Sequence, residues 1–508
     1  MSGRVETVRI ILSFSGSLFI ALGWLLLGPL LLVLIDGEIW QGDRMVLAFL
    51  LPATISFLLG LSSRAFFRET APPSSLQAIL IVSLGWITVS AIGALPFVIG
   101  INSSYLDGYF EAMSGFTTTG ITMYTGLDHM PRSIIFWRAL TQWLGGLGIL
   151  TFFLAVSYQG GSTHRLFGAE SHKIEVGRPV PSLADTVKIL LAIYAGFTVI
   201  IAISLLLAGV PLFDSIAHSF TTISTGGFSP YDASIEYYRL SGYPHYILIE
   251  YIIILGMIAG GTSFLIHFRL LNRSWRALYD NTEVRYWWGL IALFFVIIFA
   301  ERLIRLETFA NFSPFQLSYW KVVEEDFRIV LFQVVAIITT TGFATKDIAG
   351  PFFGSEATEL FLIMMVIGGC VGSTGGGVKV LRVAILVKLI QREIYRLRSP
   401  VQAISKVIID GELVELDEIQ RVSGIFFAWI VLLIIGGGIT ALFSHLTGYQ
   451  AVSGMFSALG NIGPAYISVQ EMGQLHPVIK VTYIIGMLAG RLEILPVLVL
   501  FSPRAWQT

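Results

Sequence analysis

The stretch FEAMSGFTTTGI at residues 110–121 returns three more times, in looser form, along this chain. The later copies are FTTISTGGF at 220–228, ITTTGFA at 338–344 and FSALGNIGP at 456–464. Each copy is a short amphipathic stretch that ends in small hydroxyl or amide residues and a glycine. Their spacing is far wider than the roughly 20 to 50 residues of a solenoid repeat. Four such units in one chain predict a pseudo-fourfold arrangement around a central axis.

The composition is that of a membrane protein. Of the 508 residues 55% are hydrophobic and 13% are charged, and the mean hydropathy is +0.77. Soluble proteins carry about 25% charged residues. The single cysteine, Cys370, excludes an internal disulfide and any cysteine-based metal cluster. The first apolar run, 8–35, is too long for a signal-peptide core and is predicted to remain as a transmembrane helix.

Apolar runs long enough to cross a hydrocarbon core of about 30 Å predict ten membrane crossings. Between the third and fourth, fifth and sixth, seventh and eighth, and ninth and tenth crossings lies one copy of the glycine motif, preceded by a short apolar stretch that suits a re-entrant segment. The predicted crossings are 8–35, 45–63, 76–100, 132–157, 186–210, 245–271, 286–306, 358–390, 422–447 and 477–501.

The fold class predicted is therefore an all-α polytopic membrane protein. Two N-terminal helices precede four parallel repeats of helix, pore loop and helix around a pseudo-fourfold pore. All four repeats have the same orientation, which favours a pore with its axis along the membrane normal. Many secondary transporters have inverted repeats instead. The predicted units are an N-terminal extension at 1–70, then repeats at 71–184, 185–283, 284–418, with a glycine-rich broken second helix, and 419–508.

The distribution of basic residues predicts the orientation. Lys and Arg cluster in segments on the side of the N-terminus, such as those around Arg64, Arg273 and Arg396. The positive-inside rule then places both termini in the cytoplasm and the four glycine motifs outside. The outer segments contain many acidic residues, including Glu111 and Asp326, which would raise the local concentration of cations at an entrance. Ordinary solvated loops are the alternative explanation.

The four motifs predict a cation filter. A half-helix that enters from outside points its partially negative C-terminus toward the membrane centre, and glycine permits backbone conformations that turn carbonyl oxygens toward an axis. Rings of carbonyls can replace the hydration shell of an alkali cation. The predicted filter residues are Thr118, Thr119, Gly120, Ser224, Thr225, Gly226, Gly227, Thr340, Thr341, Gly342, Asn461, Ile462 and Gly463.

The runs SGFTTTG at 114–120, STGGF at 224–228, TTTGF at 339–343 and GNIGP at 460–464, with the ten-helix layout, resemble the Trk/Ktr/HKT superfamily of potassium transporters. The bacterial Trk-type uptake subunits are the most similar branch. The resemblance implies K⁺ as the transported ion and a glycine, here Gly120, where sodium-conducting members have serine. The ion-binding residues it implies are Thr118, Thr119, Thr225, Gly226, Thr340, Thr341, Asn461 and Ile462.

The resemblance also implies partners and a location. It implies a homodimer in the bacterial inner membrane and a cytoplasmic ring of RCK-type subunits, of the TrkA kind, that binds NAD or ATP. This chain itself is expected to hold no organic cofactor, because its longest cytoplasmic segments, about 158–185 and 391–421, are too short for a nucleotide-binding domain of 50 residues or more.

The eighth crossing contains six glycines between Gly368 and Gly377. At roughly 1 kcal/mol each against alanine they predict a break in the helix. Arg491 lies in the last apolar run, where a central arginine is costly and usually faces a bundle interior or an aqueous path. In the resembled family a matching loop acts as a gate beside a matching arginine. The predicted gate residues are Gly372, Ser373, Thr374, Gly375, Gly376, Gly377, Lys379 and Arg491.

Three other functions remain as alternatives. A proton- or sodium-coupled symporter would need ionisable residues at mid-membrane, and the runs offer few besides Arg491 and Lys379. The potassium-binding subunit of an ATP-driven pump shares this architecture. A membrane enzyme is disfavoured because the eight histidines are scattered and form no catalytic motif. The glycines at 372–377 and 436–438 resemble phosphate-binding loops in spacing alone and lie within apolar runs.

Overall fold

The computed structural model describes residues 2–38, 44–67, 73–158, 183–309, 317–400 and 405–506. These residues are almost entirely helical, and the short antiparallel hairpin Ile408–Ile409 with Glu412–Leu413 is the single sheet among them. This confirms the predicted all-α membrane fold. The sequence analysis did not predict the hairpin, although Asp410-Gly411 between apolar residues is a strong turn signal.

The chain begins with two helices, Ser2–Ile35 and Arg44–Phe66, that pack closely against each other. Glycines make the close approach possible, because a Cβ on Gly60 would lie 2.8 Å from the carbonyl oxygen of Gly16. Small residues at such crossings are a common device of membrane helices. Trp24 and Phe57 meet edge to face at 5.4 Å on the same contact.

Four units follow, each with a helix, a pore helix that ends at a glycine motif, and a second helix. The pore helices are Tyr105–Phe116, Leu212–Ile223, Leu317–Ile338 and Gly448–Gly460. The first helices are Ser75–Gly93 continued by Leu95–Gly100, Leu183–Leu207, Thr282–Phe309 and Leu416–Leu442. The second helices are Arg132–Tyr158, Tyr246–Gly261 with Phe264–Leu271, Ser355–Val366 with Val380–Arg398, and Pro477–Arg491 with Leu495–Leu500.

Short helices complete the connections. Glu236–Leu240 and Val469–Gln474 follow the second and fourth glycine motifs. Single 3₁₀ turns lie at Leu127–His129, Trp275–Leu278 and Pro503–Trp506.

Three of the four second helices are broken, whereas the sequence predicted one break. The expected break between Val366 and Val380 is present. The runs 245–271 and 477–501, predicted as continuous, are interrupted as well. The first bends by 103° after Gly261. In the second, Glu493 and Ile494 have φ of 63° and 67°, a conformation that cannot continue a right-handed helix.

The third pore helix is longer than the sequence predicted. Leu317–Ile338 has 22 residues, against an expected 10 to 15 or so for a re-entrant half-helix. The helix contains charged residues that interrupt its pattern of apolar residues, and two of these charged residues form buried ion pairs. Arg328 pairs with Glu250, and Asp326 pairs with Arg302 at 3.0 Å.

The surface of the long helices suits lipid. Among the described residues, six helices are long and apolar enough to cross a membrane, or seven if the bent pair at Gly261 counts as one. The other predicted crossings fall at the two remaining broken helices and at Arg132–Tyr158. Large apolar side chains point outward, as in Leu207, which is 81% exposed. The largest buried cluster joins the second and third units through residues such as Ile223, Trp287 and Phe332.

Candidate functional site: four glycine loops above a glycine-rich plug

The four stretches that follow the pore helices share one backbone conformation. The residue two positions before each motif glycine has a left-handed φ, a region that non-glycine residues seldom adopt. Its recurrence at four equivalent positions shows that the four loops share one geometry. These residues and angles are Thr118 at 52°, Thr225 at 52°, Thr340 at 58° and Asn461 at 54°.

The motif glycines form a closed ring. A Cβ on Gly120 would overlap the carbonyl oxygen of Gly226 in the second loop. In the same way, a Cβ on Gly227 would overlap the carbonyl oxygen of Thr341 in the third loop, and a Cβ on Gly342 would overlap that of Ile462 in the fourth. Gly463 closes the ring, since its Cβ would lie 3.0 Å from the carbonyl oxygen of Thr119 in the first loop. Each glycine thus abuts the carbonyl that precedes the next motif glycine.

The ring has no room for side chains and keeps a partly exposed inner face. The four glycines have φ of 84°, 80°, 79° and 108°, which disfavours any other residue. All four are partly exposed, while the predicted filter residues beside them are buried. The chain therefore brings all thirteen predicted filter residues to one place, where the four glycines remain partly accessible to solvent.

Hydroxyl and amide side chains fix the loop backbone. The hydroxyls of Thr117 and Thr119 lie 2.7 Å apart in the first loop, and those of Thr339 and Thr341 lie 2.8 Å apart in the third. Asn461 Nδ2 donates to Thr119 Oγ1 at 2.8 Å and joins the fourth loop to the first. These bonds occupy the named hydroxyls and the Asn461 amide nitrogen, whereas Thr118 Oγ1 and Asn461 Oδ1 are buried without a hydrogen-bond partner among the described residues. The backbone carbonyl oxygens are the other polar groups of the loops.

The glycine-rich break forms a compact plug beneath this ring. Its two ends pair, because Gly368 N donates to Val378 O and Val378 N donates to Val366 O, both at 2.9 Å. Gly376 N donates to Thr340 Oγ1 at 2.8 Å. The predicted gate residues at 372–377 are all buried.

Thr374 anchors the plug to the second unit. Its Oγ1 lies 3.0 Å from the carbonyl oxygens of Ile223 and Gly260 and 3.2 Å from Thr225 Oγ1. Its amide also donates to Gly260 O at 3.1 Å. The plug therefore contacts the left-handed residues of the second and third loops directly.

Two cationic side chains hold the plug from below. Arg491 is 2% exposed, and its guanidinium donates to Thr374 O at 2.6 Å and to Gly145 O at 2.9 Å. Lys379 Nζ donates to Gly375 O at 2.5 Å. Glu493, two residues after Arg491, pairs with Arg382 in the helix that leaves the plug. Arg491 thus places its charge against carbonyl oxygens.

The sequence analysis missed several residues that support the ring. Gln142 donates from Nε2 to Gly226 O at 2.6 Å and accepts from Phe228 N at 3.0 Å. Arg138 and Glu111 form a buried ion pair at 2.8 Å, and Arg138 also donates to Ser229 O at 3.0 Å. No local pattern reveals these contacts, since the partners lie in different units.

The outer acidic residues are less available to cations than the sequence suggested. Glu111 and Asp326 are buried and paired with arginines. Lys346 pairs with Glu236 at 2.7 Å and Lys480 with Asp107 at 2.5 Å. Burial requires charged groups to be paired, so the expected acidic entrance is partly neutralised by basic residues whose proximity the sequence alone could not show.

The remaining sequence features have structural explanations. Cys370 is buried, and no group of three His, Cys, Asp or Glu within the described residues could hold a metal ion. Gly436 lies within the helix Leu416–Leu442, and a Cβ there would overlap Met455. Tight helix packing accounts for this glycine, as expected from its place in an apolar run.

Comparisons with known proteins agree on one family. The family model described as TrkH, cation transport protein, matches residues 48–508. The chain is 33% identical over 511 residues to the Trk system potassium uptake protein TrkH of Salmonella typhimurium, covering 99% of this chain and 98% of that one. It is 32% identical over 515 residues to that of Halomonas elongata, covering 99% and 100%. The crystal structure of the potassium transporter TrkH from Vibrio parahaemolyticus matches with a TM-score of 0.84 and 30% identity, covering 98% and 99%.

Proposed function

The chain belongs to the TrkH family of cation transport proteins, and from that premise we propose that it takes up potassium across the bacterial inner membrane through a gated, channel-like pore. The closed ring of four motif glycines is the observation on which this proposal depends. Four chain segments far apart in sequence converge there with one backbone conformation. Such convergence has a function only if something passes or binds at the centre.

The filter acts through carbonyl oxygens. Rings of carbonyls select among alkali cations by the number and field of the dipoles that replace water. We assign K⁺ coordination to the four loops at Thr118, Thr119, Thr225, Gly226, Thr340, Thr341, Asn461 and Ile462. Carbonyls of Thr119, Gly226, Thr341 and Ile462 each lie against the motif glycine of the preceding loop, so each loop offers one carbonyl oxygen at a corresponding position.

The plug acts as the gate. It is formed by Gly372 to Gly377, and it lies against the left-handed threonines of the ring. Arg491 stabilises the closed position through its two carbonyl bonds, and its positive charge opposes a cation below the filter. Lys379 adds a second charge. Opening requires the plug to leave these partners.

Regulation comes from outside this chain. We propose a homodimer with both termini in the cytoplasm and a cytoplasmic ring of RCK-type subunits, of the TrkA kind, that binds NAD or ATP. The relatives are named as proteins of a Trk system, which supports the presence of partner components. A proton- or sodium-coupled symporter and a pump subunit remain the alternative functions, and their activity would require a proton or sodium gradient or an ATPase partner.

Uptake of rubidium-86 into proteoliposomes tests this function. The wild-type chain, with and without a cytoplasmic ring subunit, is compared with Gly120→Ser, and potassium or sodium is added as competitor. We expect potassium to block uptake far better than sodium and the serine to weaken that preference, because a Cβ at Gly120 meets the carbonyl of Gly226. Uptake that is indifferent to the competing cation would contradict the filter assignment.

A further inference from the structure

A small β-hairpin between the third and fourth units is linked to the plug by hydrogen bonds and apolar packing, although the hairpin and the plug are separate in sequence. Its strands are Ile408–Ile409 and Glu412–Leu413. Asp410 and Gly411 form its turn with φ of 50° and 87°, the paired left-handed conformation of a tight two-residue hairpin loop.

The first connection is polar and passes through the start of the helix Thr282–Phe309. Asp410 Oδ1 accepts from Thr282 N at 2.7 Å and from Thr282 Oγ1 at 2.6 Å. A carboxylate is favourable there because a helix N-terminus has unsatisfied amides and a partial positive charge. The next residue, Glu283, is 8% exposed, and its Oε1 accepts from Val371 N at 2.7 Å.

The second connection is apolar. Val371 belongs to a buried cluster with Val407, Ile409 and Val414 from the hairpin and its flanks. Lys388, on the helix that leaves the plug, also donates to Ile408 O at 2.5 Å. Val371 immediately precedes Gly372, whose φ is 71°. The hairpin thus shares a buried apolar cluster with Val371, the residue next to Gly372 in the plug segment.

We propose that Glu283 and Asp410 are positioning residues of the transport pathway, which hold the plug under the ring by fixing Val371. The hairpin is then a lever, because a shift of its turn withdraws Asp410 from Thr282 and moves the helix start that presents Glu283 to the plug. This proposal depends on the proposed function in one respect, which is that the plug is the gate. Its structural part, that the hairpin stabilises the plug, can be measured without transport.

The test uses Cys370 as a reporter, since it is the single cysteine of the chain and is buried one residue before Val371. The rate at which N-ethylmaleimide labels the purified full-length protein measures how often the plug segment opens. Asp410→Gly keeps the positive φ and removes the acceptor, whereas Asp410→Asn keeps an acceptor oxygen. Glu412→Ala, in the adjacent strand, is the control.

We expect Asp410→Gly to label about five times faster than wild type, the fold-change for loss of a helix-terminal acceptor worth about 1 kcal/mol. Asp410→Asn and Glu412→Ala should label close to the wild-type rate. Glu283→Ala and Glu283→Gln form a second pair, in which both lack the charge near Cys370 and the alanine labels faster than the glutamine, which retains an acceptor for Val371 N. Thermal unfolding followed by tryptophan fluorescence confirms that each variant is folded.

Wild-type labelling rates in both Asp410→Gly and Glu283→Ala would overturn the proposal, as would equal acceleration in Glu412→Ala. Rubidium-86 uptake by the same preparations separates this proposal from the proposed function. Faster labelling without any uptake, with the ring subunit added as well as without it, supports the lever and contradicts the transport function. Uptake with unchanged labelling contradicts the lever and leaves transport standing.

Discussion

Replacing Arg491 by alanine should open the pathway. Arg491 is buried and donates to Thr374 O at 2.6 Å and to Gly145 O at 2.9 Å. Hydrogen bonds from a charged group contribute roughly 1.5 to 3 kcal/mol each. Because Arg491→Ala removes the bond to the plug and the bond that fixes the arginine to the first unit, at least the lower value should be lost from the closed state.

A loss of about 1.5 kcal/mol raises the ratio of open to closed molecules about tenfold. The assay is the initial rate of rubidium-86 efflux from proteoliposomes, compared at equal amounts of folded protein. Arg491→Lys is the informative partner, since it keeps the charge but lacks the planar fork that reaches two carbonyls. An intermediate rate for the lysine would mean that charge and bonding both contribute.

The reasoning would be refuted if Arg491→Ala carried rubidium at the wild-type rate or more slowly while its thermal unfolding remained cooperative. In that case the guanidinium would stabilise the fold around Gly145 without controlling passage. Removal of a buried charge can also relieve a desolvation cost, so the unfolding temperature of the alanine variant is measured in the same preparation.

The four motif glycines should differ in tolerance: Gly342→Ala, whose Cβ overlaps Ile462 O, should abolish selective uptake, while Gly463→Ala, with 3.0 Å to Thr119 O, should retain more of it in the same competition assay. Glu111→Gln leaves its partner arginine buried without a counter-charge, so it should lower the free energy of unfolding by about 3 to 5 kcal/mol, seen as a lower melting temperature and not as a change in cation preference. Thr374→Val removes the single hydroxyl proton that Ile223 O and Gly260 O share and should raise rubidium efflux about fivefold, at roughly 1 kcal/mol for the net bond lost; a rate at or below that of wild type would contradict the anchoring role.

Sequence reasoning predicted well those features of the fold that depend on repeated motifs and on hydropathy. The four glycine motifs can be recognised in the sequence because each copy has the same two requirements. One residue must adopt a left-handed φ, and the residue two positions later must be a glycine because a side chain would not fit. The break at Gly368–Gly377 was predictable because so many glycines cannot form a stable helix. The predicted filter and gate residues consequently occupy one continuous region.

The missed features depend on contacts between distant residues. The bend after Gly261 and the break at Glu493 did carry local signals, the pair Gly260-Gly261 and Pro496, but the apolar composition of the two runs outweighed them in the sequence analysis. Arg138 and Gln142 read as polar residues on an ordinary helix, and their support of the second loop appears only when the units are assembled. The hairpin turn at Asp410 carried a local signal, but the helical context concealed it.

The most direct test of the central claim is to locate the ion. Crystals grown in rubidium or thallium salts give anomalous density that marks bound cations independently of any transport assay. The account predicts a peak on the axis of the ring formed by Gly120, Gly227, Gly342 and Gly463, within coordination distance of carbonyl oxygens from all four loops. A ring without a peak, or cations bound only at carboxylates of the outer surface, would contradict it.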